Sequence, residues 1–298
     1  LTDAGGGGGT WNVSAAGVTV PATVTVPGTL TVTATAGQSP QNVSSFVVLS
    51  NGTETRRIPY WFATSAPKLG TEPAKTLTAP GTYTATTAGG ASLVSTYRFP
   101  TGGEGTYPGP ERVFRYRLTK TVANFGVVVT SGHAVPHVLV GTSEDHLAGY
   151  PGLPVDLNPY RKQYGTTRLV AGAVLPAPGL YSISFDTAGI QRAGTFTFRF
   201  WVNDTTPPRL RVTSLKGAIV VTATDAGSGV DPGSIDATVD GRAAPAKLAP
   251  DGTIRLAATR GRHALSISVA DYQETKNMED VAPILPNTAT LKASVVVR

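Results

Sequence analysis

Apolar and polar residues alternate with a period of two along most of the chain. Clear examples are Val18-Thr19-Val20, Val24-Thr25-Val26, Tyr181-Ser182-Ile183-Ser184-Phe185 and Phe196-Thr197-Phe198-Arg199-Phe200. Side chains two residues apart share one face of an extended strand, so the alternation predicts strands with a buried side and a solvent side. The alternating residues are mostly Val, Thr, Tyr and Phe, which pack well on a pleated surface. Apolar residues at helical spacing are almost absent. Turn pairs interrupt the runs: Pro27-Gly28, Asn51-Gly52, Pro80-Gly81, Pro178-Gly179, Asp240-Gly241 and Asp251-Gly252. Glycine supplies positive φ there and proline presets the first corner. Short strands separated this way predict an all-β fold of tandem β-sandwiches.

Three segments are expected. The first covers residues 1–69 and closes on the aromatic strand Ile58-Pro59-Tyr60-Trp61-Phe62. Residues 66–79 read as a linker. The second segment covers 70–205 as a sandwich or jelly-roll-like domain, with long loops at 101–110 and 147–164. The third, 206–298, begins at Pro207-Pro208, which reads as a stiff connector.

Composition narrows the class. Charged residues are 15% of the 298, against about 25% in ordinary globular domains. Thr, Ser, Asn and Gln must therefore supply much of the polar surface, which suits an exported β-protein. Cysteine is absent, which excludes disulfides, cysteine nucleophiles and thiolate metal sites. The net charge of +6 is dispersed, with no basic stripe for nucleic acid. No apolar run reaches the ~18 residues of a membrane span. The start at Leu1-Thr2-Asp3, without an initiator Met, reads as a piece of a longer or processed protein.

Four constellations could carry chemistry. Gly141-Thr142-Ser143 offers a serine, with His133 and Asp145 as triad candidates, but Glu144-Asp145-His146 follows it and nothing in the sequence brings three groups together. His133 and His137 have helical zinc spacing, yet their flanks read as strand. Positions i and i+4 of a strand lie about 13 Å apart, too far for one ion. The third segment carries Asp225-Ala226-Gly227-Ser228-Gly229-Val230-Asp231 and, later, Asp271. Carboxylates on turn loops are the ligands calcium takes, so Asp225, Asp231 and Asp271 are the candidate metal residues; Asx-turns are the competing use. Finally, Tyr107, Tyr150, Tyr160 and Tyr164 lie in loops of the second segment and could stack on sugar rings or cover the ends of the core. No catalytic residue and no cofactor other than calcium is assigned.

The first segment resembles a known family. Asp3-Ala4-Gly5-Gly6-Gly7-Gly8-Gly9-Thr10-Trp11-Asn12-Val13-Ser14, the strand Val24–Val26, Phe46-Val47-Val48-Leu49 and Arg56-Arg57-Ile58-Pro59-Tyr60-Trp61 are similar in order to the fibronectin type III-like domain that follows the catalytic domain of large bacterial subtilisin-like serine proteases. Ser45 stands where that family usually has Gly. The third segment resembles a bacterial Ig-like domain. The resemblance implies a non-catalytic accessory region of an exported serine endopeptidase, extracellular or at the cell surface. Its partner would be the catalytic domain of the same polypeptide. It transfers no catalytic residue to this chain. The alternative is a carbohydrate-binding or adhesive β-sandwich module, with polysaccharide or protein as its ligand.

Overall fold

The structure, a computed structural model, describes residues 1, 8–35, 41–64, 68–99, 102–104, 106–151, 169–215, 217–274 and 287–298. The chain divides into two compact units, Leu1–Ala66 and Pro67–Arg298. The architecture is all-β, in tandem sandwich units. Among the described residues no helix is long and apolar enough to cross a membrane.

In the first unit, β1 (Gly9–Ala15), β2 (Thr23–Val26), β3 (Gln41–Ser50) and β4 (Thr55–Thr64) form one antiparallel sheet in the order β2-β1-β3-β4. The period-two pattern puts Trp11, Val13, Val24, Val26, Val47 and Leu49 on the buried face. The opposite face of β3 and β4 stays open. Register pairs Phe46 with Pro59 and Ser44 with Trp61, so these rings point away from Val47 and Leu49. Trp61 is 67% exposed and Phe46 46%. The guanidinium of Arg57 lies 5.9 Å from the Phe46 ring centroid, a cation–π distance.

The second unit holds two sandwiches. The first of them is built from β5 (Ala74–Leu77), β6 (Gly81–Thr86), β7 (Tyr97–Phe99), β8 (Gly102–Glu104), β9 (Arg112–Leu118), β10 (Asn124–Ser131), β11 (Val135–Val140), β12 (Leu147–Gly149), β13 (Leu169–Val174), β14 (Gly179–Asp186) and β15 (Thr195–Val202). One sheet runs β13-β10-β15-β6 and the other β12-β11-β14-β9-β5. Phe114, Phe125, Phe185, Phe196, Phe198 and Phe200 fill the space between them. Most of their ring pairs meet at tilted or edge-on angles, which the ring quadrupole favours, while Phe196 and Phe198 stack.

The segment read as a linker is largely structural. Residues 68–77 form part of the wall of this sandwich: Leu69 and Leu77 are buried, and β5 pairs in parallel with β9. The Glu144 carboxylate accepts from the backbone N–H of Lys68, while the Leu69 carbonyl accepts from Arg115. Two leucines eight apart among polar residues show no period, so the sequence pattern missed a strand held by its neighbours.

The last sandwich comprises β16 (Arg209–Leu215), β17 (Ala218–Thr224), β18 (Asp236–Val239), β19 (Arg242–Ala243), β20 (Thr253–Ala257), β21 (Gly261–Ala270) and β22 (Thr288–Val297). Its sheets run β16-β17-β20 and β19-β18-β21-β22, around Ile219, Val221, Ile254, Leu256, Leu265, Ile267 and Val269.

These two sandwiches share a junction. Phe125-Gly126-Val127-Val128-Val129 of β10 is a continuous apolar run, buried on both faces. Phe125, Val127 and Val129 face the core, whereas Val128 joins Val170, Trp201 and Tyr272 in a separate cluster on the outer face. Tyr272 belongs to the last sandwich, so that sandwich covers the sheet. Pro208 is buried, between the exposed Thr205, Thr206 and Arg209.

A candidate acidic site at the sandwich junction

Three carboxylates converge at this junction. Asp204 leaves the end of β15, Asp225 opens the loop after β17, and Asp271 follows β21. One oxygen from each lies within 4.8 Å of the others. Among the described residues no other three His, Asp or Glu side chains converge this closely.

Local backbone chemistry puts each one there. Asn203 turns the chain at φ 56, in the left-handed region that asparagine tolerates, and its Oδ1 accepts from Ala123 N–H at 2.8 Å. The Asn124 side chain then holds Asp204 by both backbone groups: Nδ2 donates to the Asp204 carbonyl at 2.7 Å, and Oδ1 accepts from Asp204 N–H at 2.9 Å. The Asp204 carboxylate accepts from Ser228 N–H at 2.6 Å. Gly227 is required beside it, because a Cβ there would overlap the carboxylate. Asp225 accepts from Gly229 N–H at 2.7 Å, closing its own loop. Asp271 accepts from Glu274 N–H at 3.0 Å and from Asn287 Nδ2 at 2.8 Å, and Asn287 Nδ2 also donates to the Asp204 carbonyl.

Arg199 supplies the nearest cation. Its Nε donates to the Gly227 carbonyl at 2.7 Å and its Nη2 to the Ala226 carbonyl at 2.8 Å. It therefore grips the Asp225 loop from β15 without forming an ion pair with the three carboxylates. The electrostatics follow. Burial, then the charges of Asp204 and Asp225, push Asp271 up to about 9. Burial also raises Asp225, with Asp204 adding to the rise and the Gly229 N–H and Arg199 opposing it. Close buried carboxylates cannot all stay ionised without a proton or a cation among them.

The donor set fits a hard divalent cation. Oxygens bound to one calcium at 2.3–2.6 Å sit at most about 5 Å apart, which these three satisfy. Asp204, Asp225 and Asp271 would hold the ion, which would replace the proton otherwise needed on Asp271. Of the three sequence candidates, Asp225 and Asp271 meet here. Asp231 does not join the group: its Oδ1 accepts from Gly233 N–H at 2.9 Å and caps the turn Pro232–Ser234. Asp204 escaped sequence reading because it lies 21 residues before Asp225, on the far side of the connector. The unbroken apolar run in β10, which implies cover on both faces, was the available hint.

The remaining candidates fall elsewhere. Ser143 is buried, and its Oγ accepts from Asp145 N–H, while Asp145 pairs with Arg98 at 2.8 Å. His133 is exposed in the turn before β11. His137 is fully buried, its Nδ1 3.0 Å from Asp186, with Tyr97 stacked on the ring and Tyr107 edge-on to it. Tyr97 donates to the other Asp186 oxygen at 2.6 Å. This aromatic and carboxylate network is buried on the face of β11 and β14 opposite Val138, Ile183 and Phe185, which point into the core between the sheets. Tyr107 and Tyr150 are half-buried against the neighbouring cluster of Leu69, Val94 and Tyr97, so they cover a core end. Tyr160 and Tyr164 lie outside the described residues.

No known family profile matches the chain, and neither does any curated protein. Among solved structures, the chain is similar to the fibronectin(III)-like modules of Clostridium thermocellum CbhA, at 14% identity and a TM-score of 0.23, covering 59% of this chain and 85% of that one. It is also similar to the adhesin domain of Epf from Streptococcus pyogenes, at 10% identity and a TM-score of 0.24, covering 73% of this chain and 92% of that one. Superposition this loose carries neither fold nor function across, and the all-β architecture rests on the strands themselves.

Proposed function

We propose that this chain is a non-catalytic accessory region of an exported protein, and that its last two sandwiches work as one stiff element. The observation that carries this reading is the junction. Arg199, Trp201 and Asp204 from one sandwich bond to Gly227, Ser228, Gln273 and Asn287 around the other, all within one compact unit. A flexible tether would not need buried hydrogen bonds across it. A cation on Asp204, Asp225 and Asp271 would stiffen the joint further, as befits an extracellular setting where calcium is plentiful.

The parent, in this reading, is a subtilisin-like serine endopeptidase, and the partner is its catalytic domain. The order of motifs in the first 70 residues supports this. So does the open face of the first unit, where Trp61, Phe46 and Pro59 expose apolar surface suited to contact. The coding sequence upstream of Leu1 tests the reading directly. A signal peptide followed by the Asp, His and Ser motifs of a subtilisin-like domain is expected; an unrelated upstream region overturns the protease parent.

A second reading, a glycan-binding or adhesive module, gains one specific observation. The exposed indole of Trp61 on a sheet face is a better stacking platform than the half-buried Tyr107 and Tyr150. Retention on insoluble plant or cell-wall polysaccharide, lost in Trp61→Ala, would favour it. Equal retention of the variant would remove it.

A further inference from the structure

At the last sandwich, an open pocket of about 650 Å³ is lined by residues of β18, β19, β20 and β21 and the loops beside them. Two arginines enter it from different sheets: Arg242 on β19 and Arg255 on β20. Both are exposed, and among the described residues neither has an ion-pair partner. The floor is small and apolar, with Val239, Ala243, Ala244, Pro245, Ala257 and Ala258.

His263 and Asp240 stand at the same pocket. His263 Nδ1 lies 2.8 Å from the Asp240 carboxylate, and Nε2 lies 2.8 Å from the Thr259 carbonyl. Both partners only accept hydrogen bonds, so these contacts favour the doubly protonated ring. Those same contacts, the Asp240 bond first, raise the pKa of His263. The second Asp240 oxygen accepts from Ala264 N–H at 2.8 Å. His263 and the Ala264 N–H hold the Asp240 carboxylate, which also feels the charge of Arg242 from the pocket wall. With the His263 ring offsetting Asp240 where it is protonated, the positive charge facing the pocket is that of Arg242 and Arg255.

We propose that this pocket binds an acidic peptide segment, with carboxylates on Arg242 and Arg255 and small apolar side chains on the alanine–proline floor. Charge complementarity selects the anion. A guanidinium presents a planar fork that pairs with a carboxylate through two hydrogen bonds. Two such forks from two sheets favour a ligand with spaced carboxylates over a single small ion. The floor carries no aromatic ring, so it lacks the stacking surface a sugar would use. The volume lies within the range of about 300–1,000 Å³ typical of ligand sites.

The test is calorimetric titration of the full chain with an end-blocked peptide of alternating aspartate and alanine, alongside inorganic phosphate. One-to-one peptide binding is expected, weakened at least about tenfold in Arg242→Gln and in Arg255→Gln. Arg209→Gln removes the same charge from an exposed position on β16, outside the pocket lining, and should leave affinity unchanged. Thermal melts of the three variants check that each is folded. Equal weakening by Arg209→Gln would mean attraction by net charge alone and would overturn the site. Phosphate binding as tightly as the peptide would overturn the peptide assignment, and absence of peptide binding would overturn the proposal outright.

Discussion

Trp201 Nε1–H donates to Gln273 Oε1 at 2.8 Å, and both side chains are buried. Trp201 sits near the end of β15 in one sandwich, while Gln273 follows β21 in the next. A single indole therefore packs on its own sheet through Val128 and Val170, and on the neighbouring domain through Tyr272. Gln273 N–H in turn donates to Ser228 Oγ, which links this contact to the loop of Asp225.

Gln273→Met keeps the approximate volume but strands a buried indole N–H. The expected cost is about 1–3 kcal/mol, read from denaturant unfolding. Gly126→Ala should act on the same contact from the other side. Gly126 pairs with Trp201 across β10 and β15, and a Cβ there would overlap the indole ring. It should destabilise at least as much as Gln273→Met. Wild-type stability in both variants would show that the junction contributes little.

Calcium should raise the melting temperature of the wild-type chain relative to the same protein in chelator. Asp271→Asn should have opposite consequences in the two conditions. In chelator it removes a carboxylate from a repelling group, so stability should hold or rise. In calcium it removes a ligand, so most of the calcium-induced shift should vanish. A wild-type melting temperature indifferent to calcium would exclude a stabilising ion at Asp204, Asp225 and Asp271.

The cation-free protein should lose stability as pH rises. Burial, then the charge of Asp186, raises Glu111 from 4.5 to about 7, against N–H bonds from Leu93 and Val94. Asp271 is raised from 3.8 to about 9. In both, the folded state binds the proton more tightly than the unfolded chain does. Their contribution is complete below about pH 4 and is lost as pH climbs, through about 7 for Glu111 and about 9 for Asp271. Melting in chelator across that range should show the decline, and Glu111→Gln should flatten its lower half. Calcium should flatten the upper half by taking the place of the Asp271 proton.

Trp61→Ala and Phe198→Ala should separate surface from core. Trp61 is largely exposed, so its loss should change stability by no more than about 0.5 kcal/mol. Phe198 is fully buried among Phe114, Phe185 and Phe196, and truncating it should cost about 3–5 kcal/mol. Chemical denaturation of both variants gives the comparison. A large loss from Trp61→Ala would mean that its face is covered within the chain.

The strands were legible in the sequence wherever one face is buried and the other wet. Phe196, Phe198 and Phe200 point inward as their alternation requires, and Leu265, Ile267 and Val269 do the same in the last sandwich. Strand alternation is a local property, set by the geometry of an extended backbone, so the residues alone determined it. The Asp225 loop was legible for the same reason: its glycines and aspartates are turn chemistry. Asp204, Asn124, Asn287 and Trp201 were not legible as a group. They are far apart along the chain, and only packing the segment after β21, with Tyr272 and Gln273, against β10 and β15 brings them together. Residues 68–77 show the same limit, since Glu144 holds the turn at Lys68 and Leu69 and β9 holds the strand β5. The amino-acid sequence determined the strands, the turns and the all-β class through local backbone preference. Tertiary structure alone decided which carboxylates meet, which aromatic rings are covered and where two unpaired arginines face one pocket, because those depend on contacts between elements distant in the chain.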